Sequence, residues 1–228
     1  MSLELIKWKP SDTYHGYSLR GLPEGRGKLV SEEYSYVGSF TEGLADGKGS
    51  CIYKNGDSFI GTYFRGQRVT GKFHYGNSTY VGGFEHNKFK GPGVITCGND
   101  KFTGSFNDGM RNGSGIQKTS KFVLEGTWHN GLRHGTFKLV TSNIIKYSVY
   151  EMDVQLGPVS VRYLNHAEYL MFEGVHYDDV NEGTMTYIDG SRHVGKWVNN
   201  LKFGEFKFYY PNNEFSYIAE FYRNGELE

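Results

Sequence analysis

Residues 102–115 read FTGSFNDGMRNGSG and contain four glycines, at offsets 2, 7, 11 and 13 from Phe102. A glycine-rich segment of this kind is compatible with a phosphate-binding loop, a flexible linker or one member of a repeat. Only a repeat requires the same offsets to recur elsewhere in the chain.

The offsets do recur along the chain. Repeats with glycine at offset 2 begin at residues 14, 36, 59, 80, 102, 124 and 193, and phase alone places further repeats at 146, 170 and 217. Successive starts are 21 to 24 residues apart, and 24 of the 32 glycines fall at the four offsets. Neither a disordered segment nor a linker would produce such a phase, so the chain is predicted to be a repeat array.

Each repeat predicts a two-stranded hairpin. Offsets 0 to 4 alternate, placing Tyr36, Gly38 and Phe40 on one side of a strand. Asp108-Gly109 and Asn130-Gly131 suit the positive φ angles of tight hairpin turns. We therefore predict an all-β fold, an elongated and twisted antiparallel meander of stacked β-hairpins that forms a single open sheet and is not closed.

The glycines within strands are expected where another group approaches the backbone closely. We expect the aromatic ring at offset 4 of each repeat to lie over the glycines of adjacent strands. The glycines predicted to be structural are Gly38, Gly61, Gly82, Gly104, Gly126 and Gly195.

The sequence lacks the motifs that would indicate catalysis, nucleotide binding or zinc binding. It contains no GxxxxGK[ST] phosphate loop, no zinc-ligand spacing among its eight histidines and no GxSxG nucleophile elbow. We predict no catalytic residues, no metal site, no cofactor and no small-molecule substrate. Cys51 and Cys97 lie two repeats apart, too far for a disulfide, so both are predicted to be free.

Charge is balanced over the whole chain, with 25 basic and 25 acidic residues, which argues against a nucleic-acid partner. Residues 60–140 nevertheless hold 11 basic and 4 acidic residues, a net of +7, and residues 141–228 hold 7 and 13, a net of −6. The basic excess is interpreted either as a solvated edge that discourages foreign strands or as a surface for an anionic partner. The residues predicted to act electrostatically are Arg65, Arg68, Lys88, Lys90, Arg111, Lys118, Lys121 and Arg133.

The segments YVGSF at 36–40 and FTGSFNDGMRNGSG at 102–115 resemble the MORN repeat (membrane occupation and recognition nexus), whose pattern is Tyr-x-Gly-x-Trp-x-x-Gly-x-x-x-Gly-x-Gly. The resemblance runs from about Tyr14 to the C-terminus. It implies a scaffold of cytoskeletal, ciliary or membrane-associated assemblies. The expected location is the cytoplasm, on the cytoskeleton, in a cilium or peripherally at a membrane.

The quality of the repeats predicts the organisation of the chain. In the weaker repeats, Ser148 and Phe172 stand where glycine is expected. The predicted parts are an N-terminal cap at 1–13, well-formed repeats at 14–145, degenerate repeats at 146–192, and a C-terminal repeat with a partial capping segment, including the tail RNGELE, at 193–228.

These observations predict a non-catalytic scaffold or adaptor. It is expected to bind an extended peptide or a helix of a protein partner along an open face lined by aromatic residues and glycine. Binding of anionic phospholipid through residues 60–140 is the alternative, and a homodimer is compatible with both. The predicted partner-binding ladder is Tyr36, Phe40, Phe59, Tyr63, Tyr80, Phe84, Phe102, Phe106 and Trp128.

Overall fold

The computed structural model describes residues 6–177 and 180–221, apart from the side chains of residues 176 and 177. The chain divides into two compact units, Met1–Ser120 and Lys121–Glu228, which we call the N-terminal unit and the C-terminal unit. The strands of the N-terminal unit are β1 Thr13–Leu19, β2 Leu22–Val30, β3 Tyr34–Thr41, β4 Leu44–Tyr53, β5 Ser58–Phe64, β6 Gln67–Tyr75, β7 Ser78–Glu85, β8 Lys88–Cys97, β9 Asp100–Asn107 and β10 Met110–Lys118.

The C-terminal unit is also built of strands, and among the described residues there is no helix with the length and apolar character that a membrane crossing requires. Its strands are β11 Val123–His129, β12 Leu132–Arg133, β13 Gly135–Val140, β14 Ile144–Glu151, β15 Val154–Tyr163, β16 Tyr169–Tyr177, β17 Val180–Tyr187, β18 Arg192–Val198, β19 Leu201–Tyr209 and β20 Phe215–Phe221.

Within each unit, strands that follow each other in sequence pair antiparallel. In the N-terminal unit the pairing runs without interruption from β1 to β10. In the C-terminal unit β11 pairs with both β12 and β13, and the meander continues to β20. In the described residues, neither unit pairs its first strand with its last, so the predicted all-β fold of antiparallel hairpins in an open sheet is confirmed.

The hairpin turns have the predicted chemistry. Asp108 and Gly109 have φ angles of 52° and 84°, and Asn130 and Gly131 have 48° and 87°. Two successive positive φ angles characterise the tight turn whose twist matches that of the flanking strands. The Asp-Gly and Asn-Gly pairs therefore fix where the strands reverse.

Bulges interrupt the pairing shortly after the glycine at offset 2. The register shifts between Gly38 and Phe40, and an equivalent shift separates Gly82 from Gly83. A bulge bends its strand and increases the local twist. Beyond the bulge, Phe40 at offset 4 lies opposite Ala45 at offset 9 of the same hairpin, and both side chains are buried.

The described part of the predicted N-terminal cap lies against the hairpin turns. The Ile6 amide donates to the Gly66 carbonyl at 2.9 Å, and the Trp8 amide donates to the Gly43 carbonyl at 2.9 Å. Ile6 is buried by this arrangement. Residues 1–5 of the predicted cap and the C-terminal tail RNGELE lie outside the described residues.

The segment predicted to be degenerate, 146–192, keeps the hairpin meander. Ser148 and Phe172, which replace glycines, are both buried. One core cluster of the C-terminal unit consists of Val159, Phe172, Met185, Trp197, Phe206, Phe208 and Phe221. The repeats therefore retain their strands even where the glycine pattern is lost.

Candidate binding surface

One glycine from each strand of the N-terminal unit lies opposite a glycine of the next strand. The pairs are registered directly, for example Gly38 with Gly49 and Gly49 with Gly61. We call this set the glycine row: Gly16, Gly27, Gly38, Gly49, Gly61, Gly71, Gly82, Gly93, Gly104 and Gly115.

An aromatic ring at offset 0 covers each pair of glycines in a hairpin. A Cβ added to Gly49 would lie 2.5 Å from Cε2 of Tyr36, and a Cβ added to Gly93 would lie 2.5 Å from Cε2 of Tyr80. The expectation that the offset-4 rings would cover the glycines is therefore wrong. The ring at offset 0 instead lies over its own hairpin, because it extends along its strand as far as the glycine at offset 2.

The tyrosines at offset 0 are anchored by their hydroxyl groups. Tyr36 Oη donates to the Ser39 carbonyl at 3.0 Å, and Tyr80 Oη donates to the Gly83 carbonyl at 3.0 Å. Burial raises the pKa of Tyr36 and raises that of Tyr80 to about 12. Both phenols therefore stay neutral near pH 7 and act as hydrogen-bond donors.

The offset-4 rings join these covering rings into a ladder. Tyr36 meets Phe40 of its own repeat and Tyr63 of the next repeat edge-to-face, with ring centroids 5.1 Å apart in both cases. Edge-to-face contact is a favoured geometry for aromatic pairs. The ring ladder runs in the order Tyr14, Phe40, Tyr36, Tyr63, Phe59, Phe84, Tyr80, Phe106 and Phe102.

The ring ladder is the interior of the N-terminal unit. All nine residues of the predicted partner-binding ladder are buried, the most exposed of them, Phe84, at 7%. The expectation that these rings line an open face is wrong, because rings of the same repeat and of successive repeats bury each other by edge-to-face packing. Their positions are those of core residues.

The predicted structural glycines of the C-terminal unit are covered from the opposite strand. Gly126 and Gly195 follow Leu124 and His193, which replace the usual ring at offset 0. A Cβ added to Gly126 would lie 2.5 Å from Cδ1 of Phe137. Phe206 covers Gly195 in the same way, at 2.8 Å, so in these two hairpins the ring and the glycine have exchanged strands.

In several repeats the residue at offset 9 is an arginine whose guanidinium packs on aromatic rings. Arg68 is buried, with its Cζ 4.5 Å from the ring centroid of Phe73 and 4.7 Å from that of Phe84. Its Nη2 donates to the Asn87 carbonyl at 2.8 Å. A guanidinium above aromatic faces gains a favourable electrostatic contact, so Arg68 belongs to the core rather than to a steering surface.

Other members of the predicted electrostatic set are also engaged within their own unit. Arg111 lies 4.3 Å from the ring centroid of Phe102 and donates to Gln117 at 3.0 Å. Arg133 lies 4.0 Å from the ring centroid of Tyr150 and pairs with Asp153 at 2.8 Å. These two arginines, like Arg68, occupy offset 9, which explains why they face rings.

The lysines among the predicted electrostatic residues divide into two groups. Lys88 pairs with Asp108 at 2.5 Å, and Lys90 pairs with Glu85 at 2.9 Å. Lys118 and Lys121 are exposed, as is Arg65 in its turn. Within the N-terminal unit, burial of Arg68 and the pairing of Lys88 and Lys90 with carboxylates leave no continuous row of solvated cations among the predicted residues.

A basic groove crosses the face of the N-terminal unit opposite the rings, with a volume of about 670 Å³. Its floor is the glycine row from Gly27 to Gly61. Side chains registered across strands form its two walls, since Lys28 lies opposite Val37 and Lys48 lies opposite Thr62. The lining residues are His15, Arg26, Gly27, Lys28, Val37, Gly38, Lys48, Gly49, Ser50, Ile60, Gly61 and Thr62.

The basic groove combines positive charge with exposed apolar surface. Arg26, Lys28 and Lys48 line it, and none of its described lining residues carries a carboxylate. Val37 and Ile60 are 52% and 60% exposed. These cations were not predicted from the sequence, because charge was summed over long segments of the chain. The available signal was strand alternation, which places Lys28 on the opposite face from its buried neighbour Leu29.

The described residues show no arrangement for metal chemistry. No group of three or more His, Cys, Asp or Glu side chains in residues 6–177 and 180–221 could hold a metal ion. Cys51 is buried and Cys97 is exposed, and both are free thiols. Burial raises the pKa of the Cys51 thiol to about 12, which keeps it protonated.

Comparison with known proteins supports the repeat interpretation. A solved structure of a mutant TCP10 domain of Danio rerio CPAP is 15% identical, covers 87% of this chain and 96% of that chain, and has a TM-score of 0.38, too low to assign a shared fold. No curated protein matches the sequence. The family model for the MORN repeat matches residues 14–34, 36–58, 80–100, 102–120 and 125–136.

The matched segments coincide with repeats in which glycine and ring take the positions described above. The repeat that begins at Phe59 lies outside the matched segments, yet Phe59 covers Gly61 and Gly71 in the same manner. Its geometry therefore follows that of its neighbours. The segments 14–34, 36–58, 80–100, 102–120 and 125–136 of this chain are MORN repeats.

Proposed function

We propose that the protein is a non-catalytic scaffold that binds an extended, acidic segment of a protein partner in the basic groove. MORN repeats support a protein-binding role in general terms. The observation that carries the finer proposal is the groove itself, which has a glycine floor, cationic walls and exposed apolar side chains.

The dimensions of the basic groove suit an extended chain. The groove crosses five strands, from β1 to β5, which is about 19 Å at a spacing of ~4.8 Å per strand. An extended segment rises ~3.3 Å per residue, so roughly six residues would fill it. On this face the glycine row is bare backbone, since a side chain at these positions would point toward the rings on the other face, so such a segment can approach the sheet closely between the two walls.

The charges of the basic groove select the partner. Arg26, Lys28 and Lys48 would attract carboxylates, while Val37 and Ile60 would contact apolar side chains. A segment that alternates acidic and apolar residues satisfies both walls. The proposal keeps the glycine-lined face predicted from sequence and gives the buried rings the role of supporting it from behind.

The cellular setting follows from family resemblance alone. We propose a cytoplasmic protein of a cytoskeletal, ciliary or membrane-associated assembly. Anionic phospholipid as the ligand of residues 60–140 has less support, because Lys88, Lys90 and Arg133 are paired with carboxylates and Arg68 is buried.

The proposal is tested with a fluorescent eight-residue peptide that alternates glutamate and valine, titrated with the whole chain while anisotropy is recorded. The double variant Lys28→Glu/Lys48→Glu should weaken binding by about tenfold, because two attractive contacts become repulsive. A peptide with glutamine in place of glutamate should bind the original protein correspondingly more weakly.

A matched charge reversal on the C-terminal unit provides the control. Arg162 and Lys207 are exposed, and Arg162→Glu/Lys207→Glu makes the same change in net charge. This variant should retain the affinity of the original protein. Equal affinity of all three proteins would overturn the groove proposal, and flotation with phosphoinositide vesicles without peptide binding would favour the lipid alternative.

A further inference from the structure

The N-terminal unit has a second cavity, of about 660 Å³, at the turns that connect one hairpin to the next. It lies between the N-terminal segment 9–12 and the turns that follow β2 and β4. We call it the turn pocket. Its lining residues are Lys9, Ser11, Asp12, Ser31, Glu32, Glu33, Tyr34, Tyr53, Lys54, Asn55, Asp57, Phe73 and Tyr75.

Four aromatic rings form the walls of the turn pocket. Tyr53 lies between Tyr34 and Phe73, with ring centroids 6.5 Å and 6.4 Å apart, and Phe73 stacks on Tyr75 at 5.3 Å. Burial raises the pKa of Tyr53 and of Tyr75, so their phenols are neutral near pH 7. Phe73 is buried and already holds the Arg68 guanidinium 4.5 Å from its ring centroid, so the neutral aromatic surface left for a further cation is that of Tyr34, Tyr53 and Tyr75.

The charges of the turn pocket are mainly negative. Asp12, Glu32, Glu33 and Asp57 oppose Lys9 and Lys54, which is four carboxylates against two ammonium groups and a formal net charge of −2. Hydrogen bonds fix two of the carboxylates in place. Asp12 Oδ2 accepts from the Lys9 amide at 3.0 Å, and Asp57 Oδ1 accepts from the Gly76 amide at 3.2 Å.

Aromatic walls and a surplus of carboxylates together fit one chemical class of ligand. We propose that the turn pocket binds the cationic end of a lysine or arginine side chain presented by a protein partner. The rings provide the cation with a favourable electrostatic surface, and Glu32 and Glu33, both exposed at the mouth, provide countercharges.

The turn pocket differs from the basic groove in both place and charge. The groove lies over the glycine row, whereas the pocket is formed by the turns, and the two share no lining residue. Binding in the turn pocket therefore does not depend on the groove proposal. A partner that occupied both sites would carry acidic and basic residues in separate segments.

The test uses the whole chain and a labelled peptide that alternates arginine and glycine, with a matched peptide carrying citrulline, the neutral analogue of arginine. The arginine peptide should bind at least about fivefold more tightly than the citrulline peptide. The variant Glu32→Gln/Glu33→Gln should remove most of that difference. Tyr75→Leu should also weaken binding of the arginine peptide, because it removes one aromatic wall.

Two control variants separate this site from general electrostatics. Glu173→Gln/Glu182→Gln makes the same change in charge at exposed positions of the C-terminal unit and should leave binding unchanged. Lys28→Glu/Lys48→Glu, which tests the groove, should not weaken arginine-peptide binding. Equal binding of both peptides, unchanged binding by Glu32→Gln/Glu33→Gln, or capture of phosphatidylcholine vesicles in place of the peptide would overturn the proposal.

Discussion

The ring of Tyr36 lies directly over Gly49 of the neighbouring strand, so that a Cβ at position 49 would be 2.5 Å from ring carbon Cε2. The contact explains why glycine recurs at offset 13. Tyr36 is fully buried and its hydroxyl is hydrogen-bonded to the Ser39 carbonyl, so the ring cannot turn aside without loss of both features.

Gly49→Ala should therefore destabilise the fold. Forcing a methyl group into this packed contact is expected to lower the free energy of unfolding by about 2–3 kcal/mol, measured by urea denaturation. Ser50→Ala changes the next residue, which faces the groove, and should alter stability by less than about 0.5 kcal/mol. Equal effects of the two substitutions would show that the ring can move away.

Much of the hairpin architecture was predictable because the glycine pattern constrains it physically. Asp108-Gly109 marks a turn through its positive φ angles, and the glycines at offsets 2 and 13 mark strands that need close approach. The period alone then orders the hairpins into a meander. The all-β prediction required no knowledge of side-chain contacts.

The face that buries the rings was not predictable in the same way. Alternation places Tyr36 and Phe40 on the same side of a strand, but it does not reveal the bulge between Gly38 and Phe40, whose mark in the sequence is the glycine at offset 11, Gly47, with a φ angle of 94°. Arg68 was interpreted as a surface residue because arginine is rarely buried. Arginine recurs at offset 9, as Arg68, Arg111 and Arg133, and this recurrence was the available signal of a structural role.

In the C-terminal unit the ring that covers the offset-2 glycine comes from offset 13 rather than offset 0, and whether the two positions are interchangeable can be tested. Phe137→Gly removes the ring over Gly126 and should lower the free energy of unfolding by about 4 kcal/mol, as expected when a buried aromatic side chain is deleted. Adding Leu124→Tyr restores the arrangement of the other repeats, with the ring at offset 0.

The double variant Leu124→Tyr/Phe137→Gly should be at least about 1 kcal/mol more stable than Phe137→Gly alone. In the original sequence Leu124→Tyr should be destabilising, because two rings would compete for the space over Gly126. A double-mutant cycle from urea denaturation gives the coupling directly. Additive effects would mean that the two positions do not share one space.

Arg68 should contribute to stability through its rings and through Asn87. Arg68→Leu removes the donor to the Asn87 carbonyl and the contacts with Phe73 and Phe84, so a loss of about 2 kcal/mol is expected. Lys72→Leu on the same strand is exposed and should change the free energy of unfolding by less than about 0.5 kcal/mol. If the Arg68 side chain were instead solvent-exposed, both substitutions would have the same small effect on the free energy of unfolding.

His193 should make stability depend on pH. Burial, followed by the charge of Lys202, lowers its pKa from 6.5 to about 4. Its ring lies between Tyr187 and Phe208, with centroid distances of 4.2 Å and 4.4 Å, and its Nδ1 is buried without a hydrogen-bond partner in the described structure. The folded state therefore favours the neutral imidazole.

Between pH 6.5 and pH 4 the unfolded chain binds a proton at His193 that the folded chain does not, so stability falls as the pH is lowered through this range. The full shift corresponds to about 3 kcal/mol, and we expect about half of it because the ring is partly exposed. Urea denaturation from pH 7 to pH 4 should show this loss in the original protein and a smaller loss in His193→Gln. His129→Gln, at the exposed end of β11, should follow the original profile, and identical profiles for all three proteins would contradict the assignment to His193.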